Sequence, residues 1–117
     1  NLPVLIGLIY LPLSITLLFF IIKFLEIRAD LTAAYVTGDS EALIESLELI
    51  GRGRLIHESN PMVRLMSWFK WFDTHPPLSY RIKRLSRGVD LEDLKLKRIF
   101  VDGLRDITAT IHALALK

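Results

Sequence analysis

Two acidic side chains that follow a long apolar segment have the types and spacing for metal chemistry. Glu26 and Asp30 are four residues apart, so both project from one face if the segment is helical. A catalytic zinc site takes three protein ligands from residues such as His and Glu and leaves the fourth position to water. Glu26 could then ligate a metal while Asp30 supports it. The alternative is a solvated helix turn just beyond a membrane, where neither carboxylate has to be buried.

A histidine at a proline corner is the second chemical candidate. His75 precedes Pro76 and Pro77, and two consecutive prolines cannot sit inside a helix, so His75 occupies a rigid corner. Arg81 follows six residues later, on the helix that the prolines begin. Such a histidine could donate to a developing oxyanion, and the arginine could pair with a carboxylate of the site. The alternative is a capped turn with a surface histidine.

The N-terminal segment is long enough to hold these residues beside a membrane. Leu2 to Ile22 contains no Asp, Glu, Lys, Arg or His, and about 20 apolar residues at about 1.5 Å rise per residue cross a hydrocarbon core of about 30 Å. No basic region precedes the segment and no small-residue cleavage site follows it, which argues against a signal peptide. Pro12 is expected to kink the helix without ending it. A buried core helix is the alternative.

The charges beyond this segment are unevenly distributed. Cysteine is absent, which excludes a disulfide framework and a thiolate metal site, and the formal net charge is only +2. The charged residues in 24–50 are mostly acidic, and those in 51–88 are mostly basic. The positive-inside tendency predicts a helix in the cell (inner) membrane with the C-terminal part in the cytoplasm. Trp68, Trp71 and the basic residues are expected to contact lipid, whereas nucleic acid is a weaker alternative that would require steeply salt-dependent binding.

The remainder of the chain is predicted to be mainly α-helical. The first helix is expected to continue to about Thr37-Gly38, and Asp39 or Ser40 can cap a second helix that ends at Gly51 and Gly53. The later elements are predicted as a loop over 55–61, a segment over 62–72 that is helical or partly at the membrane surface, and a helix over 78–86. Asp90 with Asp93 resembles an N-cap, but residues 94–101 alternate as a short strand would, and a final helix is predicted after Gly103.

Three segments of the chain occur in a recognisable order. They are Phe24-Leu-Glu-Ile-Arg-Ala-Asp30, Thr37-Gly-Asp-Ser-Glu-Ala-Leu43 and Phe72-Asp-Thr-His-Pro-Pro-Leu-Ser-Tyr-Arg-Ile82. In order, spacing and the apolar helix that leads into the first segment, the chain resembles the HtpX membrane zinc metallopeptidases, to which the CAAX prenyl endopeptidases are more distantly similar. The resemblance covers roughly residues 10–86.

The resemblance implies a fold, a cofactor and roles for four residues. The implied fold is mainly α, with a transmembrane helix (1–23) continuing into a cytoplasmic zincin-like (gluzincin) subdomain (24–88) and an extension of unknown role (89–117). Glu26 would be the third Zn²⁺ ligand, Asp30 a neighbouring carboxylate that orients ligands, His75 the donor to the tetrahedral intermediate and Arg81 the residue that braces the site. The implied activity is hydrolysis of peptide bonds in membrane or misfolded proteins by zinc-activated water.

The chain departs from this family in one respect that decides its activity. The first two zinc ligands and the general base belong to an H-E-x-x-H helix upstream. His57-Glu58-Ser-Asn-Pro61 begins like that motif, but proline stands where the second histidine is needed. Because the chain begins with Asn1 and lacks the motif, we expect it to be the C-terminal part of a longer peptidase, inactive alone. The alternative is a non-catalytic, membrane-anchored helical protein that binds a partner.

Overall fold

The computed structural model describes residues 1–70 and 73–116, and all regular structure in them is helical. The mainly α-helical architecture is therefore confirmed, whereas the zincin-like character of the subdomain stays a prediction. The elements in chain order are α1 (Leu2–Thr37), α2 (Ser40–Ile50), α3 (Arg52–Glu58), α4 (Pro61–Phe69), α5 (Leu78–Ser86), a 3₁₀ turn (Leu91–Leu94) and α6 (Leu96–Ala115).

The first half of α1 is long and apolar enough to cross a membrane. Its most apolar 18-residue window has a mean hydropathy of 2.6, and none of that window is buried within the chain. Pro12 lies inside the helix, and its carbonyl oxygen accepts a hydrogen bond from the Thr16 hydroxyl at 2.8 Å. The apolar surface is exposed, which favours a lipid environment over the alternative of a core helix covered by its own chain.

The second half of α1 carries the face on which the other helices pack. Its buried residues recur every three or four positions, as an apolar helical face requires: Phe24, Ile27, Leu31 and Ala34. Helices α4, α5 and α6 all contact α1. Gly38, with φ of 70°, ends α1 in the left-handed conformation, and the Asp39 side chain then caps α2 by accepting from the Ala42 N–H at 3.0 Å. Helix α1 thus links the apolar segment directly to the packed helices.

An aromatic cluster forms the centre of the packed helices. Trp68 is fully buried, with its ring centroid 5.5 Å from that of Phe24 and 5.2 Å from that of Tyr80. Burial raises the pKa of Tyr80 to about 12. Trp68 is therefore a core residue and not the lipid contact that its position in the sequence suggested. Trp71, the other tryptophan expected at the lipid, lies outside the described residues.

A buried lysine joins the end of the apolar segment to α4. Lys23 is fully buried, and its ammonium donates to the backbone carbonyl oxygens of Trp68 at 3.2 Å and Lys70 at 2.8 Å. Carbonyls at the C-terminal end of a helix lack intrahelical donors, so a cation placed there satisfies them. The interaction fixes α4 against α1 and holds the start of the following loop.

Three predictions about the connecting segments are corrected by the structure. Residues 52–58 form helix α3, which replaces the first part of the loop predicted over 55–61, because Leu55 packs against the core and Arg54 pairs with Glu58 one turn later. The strand predicted over 94–101 is wrong, since a 3₁₀ turn precedes α6, which begins at Leu96. Gly103 lies inside α6 and not before it. Helix α4 ends at Phe69, and the remainder of the predicted helix, residues 71 and 72, lies outside the described residues.

The last helix is part of the packed structure. Helix α6 contacts both α1 and α4. Its buried positions recur at helical spacing: Ile99, Gly103, Ile107 and Thr110. The residues predicted as an extension of unknown role therefore contribute to the core, although their function stays open.

Gly103 of α6 packs against the Phe24 ring of α1, and replacing it should destabilise the protein. A Cβ built on Gly103 overlaps Cε1 of Phe24, whose ring is fully buried against Phe100 and Trp68. Gly103→Ala should therefore lower the free energy of unfolding by about 1–3 kcal/mol despite the better helix propensity of alanine. Gly53→Ala in α3, which meets no atom within 4 Å, is the matched control and should stabilise slightly. Thermal unfolding followed by circular dichroism measures both, and equal unfolding midpoints would contradict this account of the packing.

Candidate functional site

The structure brings together the four residues that the sequence singled out. The Arg81 guanidinium binds the Asp30 carboxylate through two hydrogen bonds, from Nε at 2.7 Å and from Nη2 at 2.8 Å. Nδ1 of His75 lies 2.5 Å from Oε1 of Glu26. Nη1 of Arg81 is 3.7 Å from the same Glu26 oxygen, so the two pairs form one connected group. Residues separated by about 50 positions in the chain thus meet in one place.

Helices α1 and α5 position the acidic and basic halves of this group. Glu26 and Asp30 are one turn apart on α1, beside its buried face. Arg81 lies in the first turn of α5, where its N–H donates to the Pro77 carbonyl oxygen at 3.1 Å. The paired prolines start α5 and so determine where this arginine reaches α1.

The Arg81–Asp30 pair is largely shielded from water. Only 13% of the Arg81 side chain and 12% of the Asp30 side chain are exposed. Burial alone would lower the pKa of Arg81, but the hydrogen bonds and charge of Asp30 and the charge of Glu26 together raise it. Arg81 is therefore a permanent cation that holds both carboxylates in place.

Breaking this pair should destabilise the fold. Arg81→Met leaves the Asp30 carboxylate without its two charged hydrogen bonds, so the free energy of unfolding should fall by about 3 kcal/mol. Lys83→Met is the matched control. Lys83 is two-thirds exposed and its ammonium lies 3.9 Å from the Asp106 carboxylate, a long distance for an ion pair. Exposed ion pairs contribute about 0–1 kcal/mol to the free energy of unfolding. The double variant Arg81→Met, Asp30→Leu should recover part of the loss. If thermal unfolding shows the Arg81 variant to be as stable as the Lys83 variant, the Arg81–Asp30 pair does not stabilise the fold.

The backbone on either side of His75 is held by hydrogen bonds to two side chains. The Asp73 carboxylate accepts from the His75 N–H at 2.9 Å. The Arg54 guanidinium donates to the Pro76 carbonyl oxygen at 2.7 Å, and both prolines are fully buried. The backbone on each side of His75 is thus fixed, while 53% of the His75 side chain stays exposed.

Glu58 is a supporting residue that the sequence analysis considered only as part of an incomplete zinc motif. Its side chain is 1% exposed. One carboxylate oxygen accepts from the Ser79 N–H at 2.8 Å and the Ser79 hydroxyl at 2.9 Å, and the other accepts from Arg54 at 2.8 Å. Glu58 therefore satisfies a backbone donor in the first turn of α5 and orients Arg54. The four-residue spacing of Arg54 and Glu58 is the signal that indicates their pairing.

Neutralising Glu58 should loosen the His75 corner. Glu58→Gln keeps the size of the side chain, but its amide nitrogen cannot accept a hydrogen bond, so either the Arg54 guanidinium or the Ser79 N–H loses its acceptor and the other meets an uncharged oxygen. The free energy of unfolding should fall by about 2 kcal/mol, the range of a hydrogen bond to a charged group. Glu45→Gln, at an exposed position of α2, is the control and should change little. Denaturant titration of the three proteins measures the difference, and a Glu58 variant that matches its control would show that this network is not needed.

Two clefts lie on either side of His75. The first cleft has a volume of about 600 Å³ and is lined by Glu26, Leu47, Ile50, Gly51, Gly53, Arg54, His75, Leu78 and Arg81. The second cleft has a volume of about 590 Å³ and is lined by Arg54, His57, Glu58, Val63, Ser67, Lys70, Asp73 and His75. His75 and Arg54 belong to both, so the exposed imidazole lies between two spaces in which a ligand could bind.

The described part of the chain supplies one potential zinc ligand and not a complete site. Among residues 1–70 and 73–116, no group of three His, Cys, Asp or Glu side chains is arranged to hold a metal ion. His57 lies in the last turn of α3 and Pro61 begins α4, so the residues that resemble the start of a zinc motif belong to two helices. Glu26 lines the first cleft, and its contacts with His75 and Arg81 both use Oε1.

Comparison of this chain with protein-family models, curated proteins and solved structures gave no match.

Proposed function

We propose that this chain is the C-terminal part of a membrane-bound zinc metalloendopeptidase of the HtpX type, which hydrolyses peptide bonds in membrane or misfolded proteins. The observation that carries the proposal is the meeting of Glu26, Asp30, His75 and Arg81 beside a cleft. The resemblance gives each of these residues a role at one active site, so their convergence is what the proposal requires. A chance resemblance of separate segments would not require it.

Glu26 is the residue through which this chain would bind the metal. Its Oε1 faces His75 and Arg81, and a carboxylate has a second oxygen with which to ligate. Zinc in such a site lowers the pKa of its bound water and polarises the peptide carbonyl. Both oxygens of Asp30 accept hydrogen bonds from Arg81, which favours a supporting role for Asp30 over ligation of the metal. Asp30 and Arg81 instead keep Glu26 in position.

His75 would interact with the substrate. Its Nδ1 faces Glu26, which leaves Nε2 as the ring nitrogen for a ligand in the clefts. When the imidazole is protonated, both nitrogens donate, so Nδ1 can hold Glu26 while Nε2 donates to the oxygen on which charge develops. The fixed backbone on either side of His75 reduces the reorganisation needed for that interaction.

The apolar half of α1 would anchor this site to a lipid bilayer. Glu26 lies only three residues beyond Lys23, so about 5 Å of helix separates the end of the apolar segment from the proposed ligand. The site would then lie next to the membrane surface, within reach of membrane proteins as substrates. The inner membrane with a cytoplasmic C-terminal part is the proposed location, from the charge distribution that follows the apolar segment.

The reading frame upstream of the Asn1 codon tests the proposal. An in-frame H-E-x-x-H on an amphipathic helix would supply the two missing ligands and the general base, as the proposal requires. A start codon directly before Asn1 would mean that no peptidase site can form, and the proposal would be abandoned.

A non-catalytic, membrane-anchored interaction protein is the second candidate. The observation that favours it is that the Glu26, Asp30, His75 and Arg81 contacts also make sense as a purely structural network joining α1 to α5. In that case the intact protein would bind no zinc, and a stable protein partner would co-purify with it from membranes.

A further inference from the structure

Helix α6 presents its acidic and its basic residues on different sides. Its two acids, Asp102 and Asp106, are only 11% and 12% exposed, and both lie beside basic side chains of α5. Its arginines, Arg98 and Arg105, are 58% and 71% exposed, and their contacts with carboxylates, at 3.7 Å and 3.8 Å, are long. Lys97 is exposed as well. The exposed side of α6 is therefore basic.

An apolar stripe runs beside these exposed cations. Val101, Leu104 and Ile111 are each about half exposed, and their spacing of three and seven residues places them on one side of the helix. Thr108 is exposed between them, and its hydroxyl donates to the Leu104 carbonyl oxygen at 2.8 Å, so it is satisfied within the helix. Apolar residues next to exposed arginines are typical of a helix that lies on the surface of an anionic bilayer.

Contacts with α1 place α6 near the end of the apolar segment. The carbonyl oxygen of Leu94, just before α6, accepts from Nε of Arg28 at 3.2 Å, whereas Gly103 packs on the Phe24 ring. Nine residues of the chain thus advance along only four residues of α1, and they do so toward its apolar half. Phe24 directly follows Lys23, where the apolar segment ends. Helix α6 therefore crosses α1 obliquely at the level where α1 would leave a bilayer.

Helix α4 reaches the apolar segment in the same region. The ring of Phe69 stacks on that of Phe20, which belongs to the apolar segment, with 5.5 Å between the centroids. Met62, Met66 and Phe69 recur at helical spacing on α4, and each is about half exposed. The packed helices thus carry exposed apolar side chains up to the segment that is long enough to cross a membrane. This continuity favours lipid over a protein partner as the occupant of the α6 surface.

We propose that α6 docks on the surface of an anionic bilayer, with Val101, Leu104 and Ile111 between the lipid headgroups and with Arg98 and Arg105 bound to lipid phosphates. The C-terminal segment then forms a second membrane contact, which fixes the tilt of the packed helices relative to the bilayer. The inference rests on the entry of α1 into a bilayer and is independent of peptidase activity.

The test places one fluorescent label at a time on the full-length protein, reconstituted in vesicles of phosphatidylcholine with phosphatidylglycerol. The 117 residues contain no cysteine, so each label is attached to one introduced cysteine, with any cysteine outside them replaced by serine. Leu104→Cys and Ile111→Cys are the test positions. Leu13→Cys, in the apolar segment, is the positive control, and Val36→Cys, 75% exposed and about 20 Å of helix beyond Lys23, is the negative control. Phospholipids with a nitroxide on the acyl chain quench labels in the bilayer, and iodide quenches labels in water.

The nitroxide lipids should quench the labels at Leu104 and Ile111 at least about threefold more than the label at Val36, which iodide should quench instead. Labels on α6 that behave like the Val36 label would overturn the proposal. Labels on α6 that neither quencher reaches would also overturn it, because protein and not lipid would then cover the helix. If the label at Leu13 escapes the nitroxide lipids, α1 is not in the bilayer and the proposal fails. Peptidase activity enters none of these results.

A pair of double variants tests the choice of anionic lipid. With Arg98→Gln and Arg105→Gln, nitroxide quenching of the Leu104 label should fall to the level measured in vesicles of phosphatidylcholine alone. Arg52→Gln with Lys83→Gln removes the same charge from exposed positions of α3 and α5 and should change the quenching little. Equal effects of the two double variants would overturn the assignment of Arg98 and Arg105 to lipid phosphates.

Discussion

On the proposed function, Glu26→Gln in the full-length protein should reduce peptidase activity to background. The amide is a neutral and weaker zinc ligand, and even changes to residues that only support metal ligands cost about 10–100-fold in affinity or activity. The substitution also removes the charge that pairs with His75 and lies 3.7 Å from Arg81. Activity against a peptide or an unfolded membrane protein measures the effect.

A matched variant separates this effect from a general loss of carboxylate charge. Glu48→Gln makes the same change at an exposed position of α2 and should retain full activity. Since Arg81 and Asp30 remain paired in the Glu26 variant, its unfolding transition should stay cooperative. A Glu26→Gln protein with wild-type turnover would show that Glu26 is not an active-site residue.

His75→Ala should lower kcat by about 10²–10³-fold while zinc stays bound. This magnitude is that of removing one preorganised donor to an oxyanion. Glu26 and the Arg81–Asp30 pair remain in place without the imidazole, so metal binding should survive. The measurement is kcat together with the zinc content of the same preparation.

The control for His75 is another exposed histidine. His112 lies in the last turn of α6, and His112→Ala should not affect kcat or zinc content. A His75→Ala protein that loses zinc in parallel with activity would make His75 a structural support of Glu26. Unchanged turnover would exclude any part of His75 in catalysis.

The sequence was informative where local chemistry determines the structure. The run from Leu2 to Ile22 specifies an apolar helix, and Gly38 with Asp39 ends one helix and caps the next. The proline pair starts α5 where it was predicted to begin. The contacts among Glu26, Asp30, His75 and Arg81 were suggested by a resemblance of three motifs, since no local rule relates positions about 50 residues apart.

The sequence was less informative where packing overrides local pattern. Alternation over residues 94–101 favoured a strand, but Ile99 and Gly103 belong to a longer helical stripe that packs on Phe24. Gly103 was interpreted as a helix boundary because glycine usually marks one, whereas here it permits close contact between α6 and α1. Glu58 was missed because its partner Ser79 lies 21 residues away on another helix.

The zinc content of the intact protein, purified from membranes and compared with its Glu26→Gln variant, tests the central claim most directly. We predict about one zinc ion per chain in the wild type, the stoichiometry of a single catalytic site, and a large loss of zinc in the variant. A wild-type protein that binds no zinc, or a variant that keeps all of it, would contradict the assignment of Glu26 as a ligand.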